Sequence, residues 1–236
     1  MIPLVTVCMV AYNAEKWISQ AILSVLNQTY KNFVLLIVDD GSTDITKKII
    51  MSYVEHTTLG DRIRYIYQEH KNFAVGLNRA ITEAESKYLL NVDSDDYIAS
   101  DYLEKMVECA EKHPDIDYFY PCYFVETHEL GAILRTWPYR DWSDNRKIKE
   151  VIQEKKRSPI PRPGSLIRRS LFDRVGLYEE VDTCEDFLFL CKNVFDIKFK
   201  KVDTATEYFY RRVKTGNSMG KREIREEIHN QGLAYL

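Results

Sequence analysis

Two short apolar runs, at residues 4–10 and 33–38, and two further strand candidates, at 63–67 and 88–92, alternate over the first hundred residues with segments of helical period. A run that is apolar throughout suits a strand buried on both faces. Trp17, Ile18, Ala21, Ile22, Val25 and Leu26 mark one helical face and leave Glu15, Lys16, Ser19 and Gln20 for the wetter side. Ile45, Ile49, Ile50 and Tyr53 mark a second helix, and residues 74–84 a third. Strand and helix in strict alternation predict an α/β fold, a mostly parallel sheet covered by helices on both faces.

After residue 101 the pattern is less regular. Residues 102–112 read as an amphipathic helix stopped by His113-Pro114, and 117–125 as a strand. Gly131 turns a hairpin with 132–137 returning, and 144–157 form a charged, solvated helix. Pro159, Pro161, Pro163 and Gly164 mark a loop. A strand at 206–210 and a helix at 221–236 complete the reading. No linker interrupts the chain, so 1–100 and 101–236 are expected to share one core.

Composition removes several classes. Thirty-three Lys and Arg against 36 Asp and Glu leave a net charge of −3, which gives nucleic acid no electrostatic reason to bind. A chain of 236 residues needs no covalent staples. Its five cysteines form no CxxC pair and its histidines no HExxH, which fits reduced thiols in a cytoplasmic protein. Asn27-Gln28-Thr29 matches a glycosylation sequon, but with no signal peptide before it a chance match is expected. No apolar run approaches the roughly 18 residues of a membrane span.

In parallel α/β sheets ligands sit beyond the carboxyl ends of the strands. Three such ends carry polar residues: Ala11-Tyr12-Asn13, Asp39-Asp40-Gly41-Ser42 and Asp93-Ser94-Asp95-Asp96. The last crowds three carboxylates into four residues, which suits a hard divalent cation that also holds a diphosphate. A solvated turn capping the next helix explains the same residues. An EF-hand loop does not, because Ile98 stands where glycine is required. An aspartate at 39–40 can accept the N3–H of uracil and Tyr12 can stack on the base; a βα turn and a packed tyrosine are the structural alternatives. Glu185-Asp186 opens an apolar helix, either to stabilise its N-terminus or, through Asp186, as a general base. Arg211, Arg212 and Lys214 lie in a basic loop that either holds a diphosphate, with Gly216 letting it close, or is merely solvated.

In order and spacing these motifs resemble family 2 glycosyltransferases of the GT-A fold. The resemblance rests on residues 5–13, 24–30, 38–44 and 91–96, on Leu166-Ile167-Arg168-Arg169, on Val175-Gly176 and on Glu185-Asp186. It implies a Rossmann-like, mostly parallel sheet with a smaller acceptor-side subdomain. Residues 1–100 would be the nucleotide-sugar half and 101–236 the acceptor-binding and catalytic half. On the donor side it places Val10, Ala11, Tyr12, Asn13, Asp40, Asn72, Asn78, Asp93, Ser94, Arg211, Arg212 and Lys214. Asp95, with Asp93, would hold Mn²⁺ or Mg²⁺, and Asp186 would be the catalytic base. Glu185 falls on the acceptor side, where position also suggests Trp137, Trp142 and the 158–165 loop with Ser165. Two residues depart from the family pattern: Asn72 stands where many members have glycine, and Lys214 is nearest to where many have histidine.

The implied reaction is an inverting, metal-dependent transfer of a sugar, UDP-linked by expectation, to a hydroxyl of a glycan, glycoprotein or lipid-linked acceptor. Such acceptors leave room for peripheral membrane association through residues 221–236, and a homo-oligomer is compatible with the sequence. A sugar nucleotidyltransferase would need a glycine-rich phosphate loop where Ala11-Tyr12-Asn13-Ala14-Glu15 stands, and a dinucleotide oxidoreductase would need GxGxxG. A catalytically silent nucleotide-sugar-binding module is the remaining alternative, and the intact carboxylates weigh against it.

Overall fold

A computed structural model of the chain describes residues 2–56, 58–155, 157–212 and 222–236, without the side chains of 222–225. The first half runs β1 (Val5–Ala11), α1 (Ile18–Leu26), β2 (Phe33–Asp40), α2 (Thr46–His56), β3 (Ile63–Gln68), α3 (Phe73–Glu83) and β4 (Tyr88–Asn91). The second runs β5 (Tyr97–Ile98), α4 (Tyr102–Lys112), β6 (Tyr118–Pro121), β7 (Tyr123–His128), β8 (Ile133–Pro138) and α5 (Asn145–Lys155). It continues with β9 (Leu166–Arg168), α6 (Arg169–Val175), α7 (Glu185–Asn193), β10 (Phe199–Val202), β11 (Tyr208–Arg212) and α8 (Arg222–Leu233).

A seven-stranded sheet has the order β10-β6-β9-β4-β1-β2-β3. All its pairs are parallel except those of β9, which runs antiparallel to both β4 and β6. Alternation along β1 shows why helices are needed on both sides. Val5, Val7, Met9 and Ala11 face a core with Ile18, Ile22 and Val25 of α1 and Leu103 and Met106 of α4. Cys8 and Val10 face the opposite core, with Leu77 and Ile81 of α3, Leu171 of α6 and Phe187 and Leu190 of α7. Each large side chain so buried contributes roughly 1.5–3 kcal/mol. Gly76 lets α3 approach β1, since a Cβ there would meet Val10 Cγ1 at 2.7 Å.

The structure corrects the expected single strand at 117–125. The chain leaves the large sheet after Pro121, whose ring offers no N–H to extend a ladder, and β7 enters a second, four-stranded sheet of order β5-β11-β7-β8. The hairpin at Gly131 forms as expected, closed by the Gly131 N–H on the His128 carbonyl at 2.8 Å. Helix α5 is not wholly solvated, because Ile148 and Ile152 are fully buried. Helix α8 packs on α7 of its own chain: the rings of Phe187 and His229 lie 4.5 Å apart, and a Cβ at Gly232 would meet Phe187 at 2.7 Å. Among the described residues no helix is long and apolar enough to cross a membrane.

Candidate active site

The ends of β1 and β2 lie side by side, with Ala11 opposite Asp39. Asn13, at φ +49°, turns its side chain into the neighbouring loop and accepts from the N–H groups of Thr43 at 2.8 Å and Asp44 at 3.3 Å. Asp39 is buried and accepts from the Ser42 N–H and the Tyr65 hydroxyl, both at 2.9 Å. Asp40, 1% exposed, accepts from Gln68 Nε2 at 2.6 Å and the Lys71 N–H at 3.2 Å, and pairs with His70 Nδ1 at 2.8 Å. Gly41, at φ +77°, permits this fit, since a Cβ there would meet His70 N at 2.6 Å. The His70 ring also stacks on Tyr12, 3.9 Å between centroids and 14° between planes. The stacking face and the carboxylate that sequence reasoning reserves for a base are therefore both engaged by His70.

Beyond β4, Asp93 accepts from Asn91 Nδ2 at 2.7 Å and is gripped by Arg162 through bonds of 3.0 and 3.2 Å. Asp96 is buried beneath β11, accepting from the Tyr208 hydroxyl and the Arg211 N–H at 2.8 Å each. Burial, then the charges of Asp95 and Asp93, push its carboxyl well above the usual range. Burial and the Asp93 charge push Asp95 up to about 6. A buried carboxylate beside another is the environment in which a cation is favoured.

Arg162 joins this cluster to the second half. Its guanidinium lies 4.4 Å from the Phe73 ring centroid, and its Nε is 3.2 Å from Glu185 Oε1. Burial disfavours its charge, but Asp93 and Glu185 more than restore it and hold its pKa above the ordinary value. The loop carrying it is pinned by the Gly164 N–H on the Asn91 carbonyl and the Tyr102 hydroxyl on the Gly164 carbonyl, at 2.8 and 2.7 Å. Gly164 has φ +73°, and a Cβ there would meet the Tyr102 hydroxyl at 2.5 Å.

Cys184, at φ +61°, turns the chain into α7, whose first residues are Glu185 and Asp186. Burial and the adjacent Asp186 raise the Glu185 carboxyl. Asp186 is half-buried and lines a small cavity of about 10 Å³ with Tyr118, Ser158, Arg162 and Tyr178. Such a cavity has room for about one water. Asn72 caps α3 by accepting the Val75 N–H at 2.9 Å, and its Nδ2 reaches Asp182 at 3.4 Å, bringing the approach to α7 against the donor-side rim.

The remaining expected site residues take varied places in the fold. Asn78 is buried, with both ends of its amide bonded to the Tyr178 backbone at 2.8 and 3.0 Å, so it clamps two segments. Ser165 is fully buried, its hydroxyl donating to the Pro161 carbonyl at 2.7 Å, and it offers no acceptor surface. Trp137 lies on β8, the edge of the smaller sheet, with its indole N–H donating to Glu126 at 2.6 Å. Arg212 is held by Glu126 at 2.5 Å. Arg211 is 3% exposed, donates to Gln20 at 2.5 Å and lies 4.4 Å from the Trp17 ring centroid. Among the described residues its Nε and Nη1 have no hydrogen-bond partner. Val10 and Ala11 are buried, and Ser94 is half-buried beside Asp93. Lys214 and Gly216 lie outside the described residues.

Sequence reasoning did not find His70, Arg162 or Glu126. The one signal for Arg162 was a lone arginine between Pro161 and Pro163, a rigid setting in which a side chain is held at fixed aim.

Among the described residues no three His, Cys, Asp or Glu side chains gather into a metal cage. Hard divalent ions that also hold phosphate take only one or two protein carboxylates. Asp95 fits that role, whereas Asp93 already spends both oxygens on Arg162.

A sheet of this order, covered by helices on both faces, has the arrangement of the GT-A fold. The structure of residues 1–349 of TarS from S. aureus, solved with UDP-GlcNAc, aligns over 99% of this chain and 71% of that fragment, with a TM-score of 0.71 at 21% identity. The sequence profile of glycosyl transferase family 2 matches residues 6–176, and the chain belongs to that family. It is 30% identical to the glycosyltransferase GlyA of Streptococcus pneumoniae over 72% of this chain and 25% of GlyA. It is 38% identical to TuaG of Bacillus subtilis, provisionally named a teichuronic acid biosynthesis glycosyltransferase, over 45% of this chain and 41% of TuaG. The first curated relatives are matched over about two-fifths of their length or less, at 40%, 35% and 41%.

Proposed function

We propose that the chain transfers a sugar from a UDP-sugar to a hydroxyl of a growing envelope glycan, with inversion at the anomeric carbon. The observation that carries this reading is the Arg162 bridge, which ties Asp93 at the end of β4 to Glu185 at the start of α7. It sets the acidic turn for the donor beside Asp186. That TarS has been solved with UDP-GlcNAc and with UDP supports the donor class, and the name of TuaG supports a polysaccharide acceptor.

Each residue then has a task. Tyr12 and Asp40 hold the uracil once His70 has moved aside. The orphaned nitrogens of Arg211 offer donors to the diphosphate, whose oxygens accept. Asp95 would hold Mn²⁺ or Mg²⁺, which when bound supplies Lewis-acid stabilisation of the departing diphosphate, while Asp93 stays bonded to Arg162. Asp186 takes the proton of the acceptor hydroxyl as its oxygen bonds to the anomeric carbon. The bond from that carbon to the diphosphate breaks on the opposite face, and its electron pair leaves with UDP. Glu185 keeps Arg162 in place and so keeps Asp93 aimed. The work is cytoplasmic in this proposal, against a membrane face where the acceptor is lipid-linked.

A donor screen by UDP release tests the reading, run with Mn²⁺, with Mg²⁺ and with a chelator. Release from at least one UDP-sugar, dependent on the ion and lost in Asp95→Ala, is the expected result. Release that survives chelation and the substitution would remove the ion from the proposal, and no release from any donor would favour a silent binding module.

A further inference from the structure

The smaller sheet turns one face along the site. Its register puts Tyr208, Tyr210 and Arg212 of β11 on that face with Glu126 of β7 and Arg135 and Trp137 of β8. The inner end of the face reaches the acidic turn, where the Tyr208 hydroxyl donates to Asp96 at 2.8 Å. Tyr210 comes next, half-buried, its hydroxyl pushed up to about 12 by burial and then by the charges of Asp96 and Asp93. Beyond Tyr210 the face becomes basic.

Glu126 organises that outer stretch. It is 4% exposed and holds one arginine on each oxygen, accepting from Arg212 Nε at 2.5 Å and from Arg135 Nε at 2.6 Å. The two guanidinium groups therefore stand side by side. Each is also set against a ring, Arg135 4.0 Å from the Trp137 centroid and Arg212 5.6 Å from that of Tyr210. Two positive charges against one negative leave the group net positive. Both arginines are bonded through Nε, and among the described residues no hydrogen bond engages their Nη groups. Their side chains are half-exposed, so these amino groups face solvent. A guanidinium fixed at one nitrogen, with its outer donors free, is prepared for an oxyanion.

We infer that Arg135 and Arg212 form a subsite for an oxyanion, a phosphate or carboxylate that the acceptor glycan carries away from its reacting hydroxyl. The inference rests on the transfer proposed above and narrows its acceptor to an anionic glycan. Four residues of strand place Arg212 about 13 Å from Tyr208 and the acidic turn. The reacting end is crowded with carboxylates, at Asp93, Asp95, Asp96, Glu185 and Asp186, which repel an anion there. The arginine pair offers that anion a place further along the same face.

The test is NMR of the ¹⁵N-labelled chain, following the arginine Nε–H and Trp137 indole N–H groups as glucose 6-phosphate, glucuronate or neutral glucose is added. Saturable shifts at Arg135 and Arg212 are expected with at least one anion by about 20 mM, and none with glucose. The tighter anion shows whether the pair prefers phosphate or carboxylate. Arg212→Gln should weaken that binding at least about tenfold, while Arg212→Lys retains part of it. Should Arg212→Gln fail to fold, Arg135→Gln carries the same comparison, because it lies on an edge strand and leaves Glu126 its bonds from Arg212 and Trp137. Equal shifts from glucose, no saturation by either anion, or unchanged affinity in both variants would each overturn the inference. Displacement of the sugar anion from both arginines by UDP would assign the pair to the donor diphosphate and overturn it as well. Amide shifts at Tyr12 and His70 on adding UDP report on the donor alone, so the transfer proposal and the anion subsite fail or succeed separately.

Discussion

Arg162 holds Asp93 in a two-pronged grip, with Nη1 3.0 Å from Oδ1 and Nη2 3.2 Å from Oδ2. The arginine is 8% exposed and also faces Glu185, so removing it strands two carboxylates in a buried place. Breaking such a pair costs about 3–5 kcal/mol. Arg162→Met should lower unfolding free energy by about that much in urea titrations. Arg162→Lys should lose less, keeping the charge but not the fork. Equal stability of wild type and Arg162→Met would show that the bridge does not hold the two halves of the site.

His70 occupies the Tyr12 ring and the Asp40 carboxylate at once. If the base must displace it, His70→Ala should tighten UDP binding by several-fold, about 3 to 10. Tyr12→Ala should weaken it about tenfold or more, the usual worth of one stacked base. Calorimetry with UDP separates these. Weaker binding in His70→Ala would mean that the imidazole is part of the base site and not its occupant.

Glu126 provides the pH prediction. Burial raises its carboxyl, but hydrogen bonds from Arg135, Trp137 and Arg212 outweigh burial and draw it down to about 2. A depressed carboxylate stabilises the fold above its unfolded pKa, and that contribution is lost as pH falls. The loss should run from about pH 4.5, the ordinary value, down to about 2. Arg135 and Arg212 are half-exposed, so solvent screening leaves about 1–2 kcal/mol. Glu126→Gln should be destabilised by that amount at pH 7 and should converge on wild type in acid melts. A constant gap from pH 7 to 2 would contradict it.

Asn78 separates structure from binding. Both ends of its amide are committed to the Tyr178 backbone. Asn78→Ala should cost about 1–3 kcal/mol of stability through the two bonds lost, yet leave UDP affinity within about twofold. A large loss of affinity in a folded variant would return Asn78 to the donor site.

Strands β1 and β2 were legible because a strand buried on both faces must be apolar throughout, as 33–38 is, and the helix between them because Trp17 to Leu26 keep helical spacing. The break at Pro121 was not, since apolar residues continue on both sides while the chain changes sheets. β9 has three residues, too few to show any period. At the site, carboxylates at strand ends were visible as types, but their partners were not. Asp40 meets Gln68 and His70 only because β2 and β3 pair, and Asp93 meets Arg162 across 69 residues. The bonds of Asn78 to the Tyr178 backbone were not legible either, because an amide at a given spacing looks the same in sequence whether it binds a ligand or a backbone.

The most direct measurement on the central claim is the turnover of Asp186→Asn alongside its UDP affinity. General-base catalysis is worth about 10²- to 10⁴-fold. The variant should lose that much UDP release from its sugar donor while binding UDP within about twofold of wild type. Turnover close to wild type, with the fold intact, would contradict the assignment of Asp186 as the base.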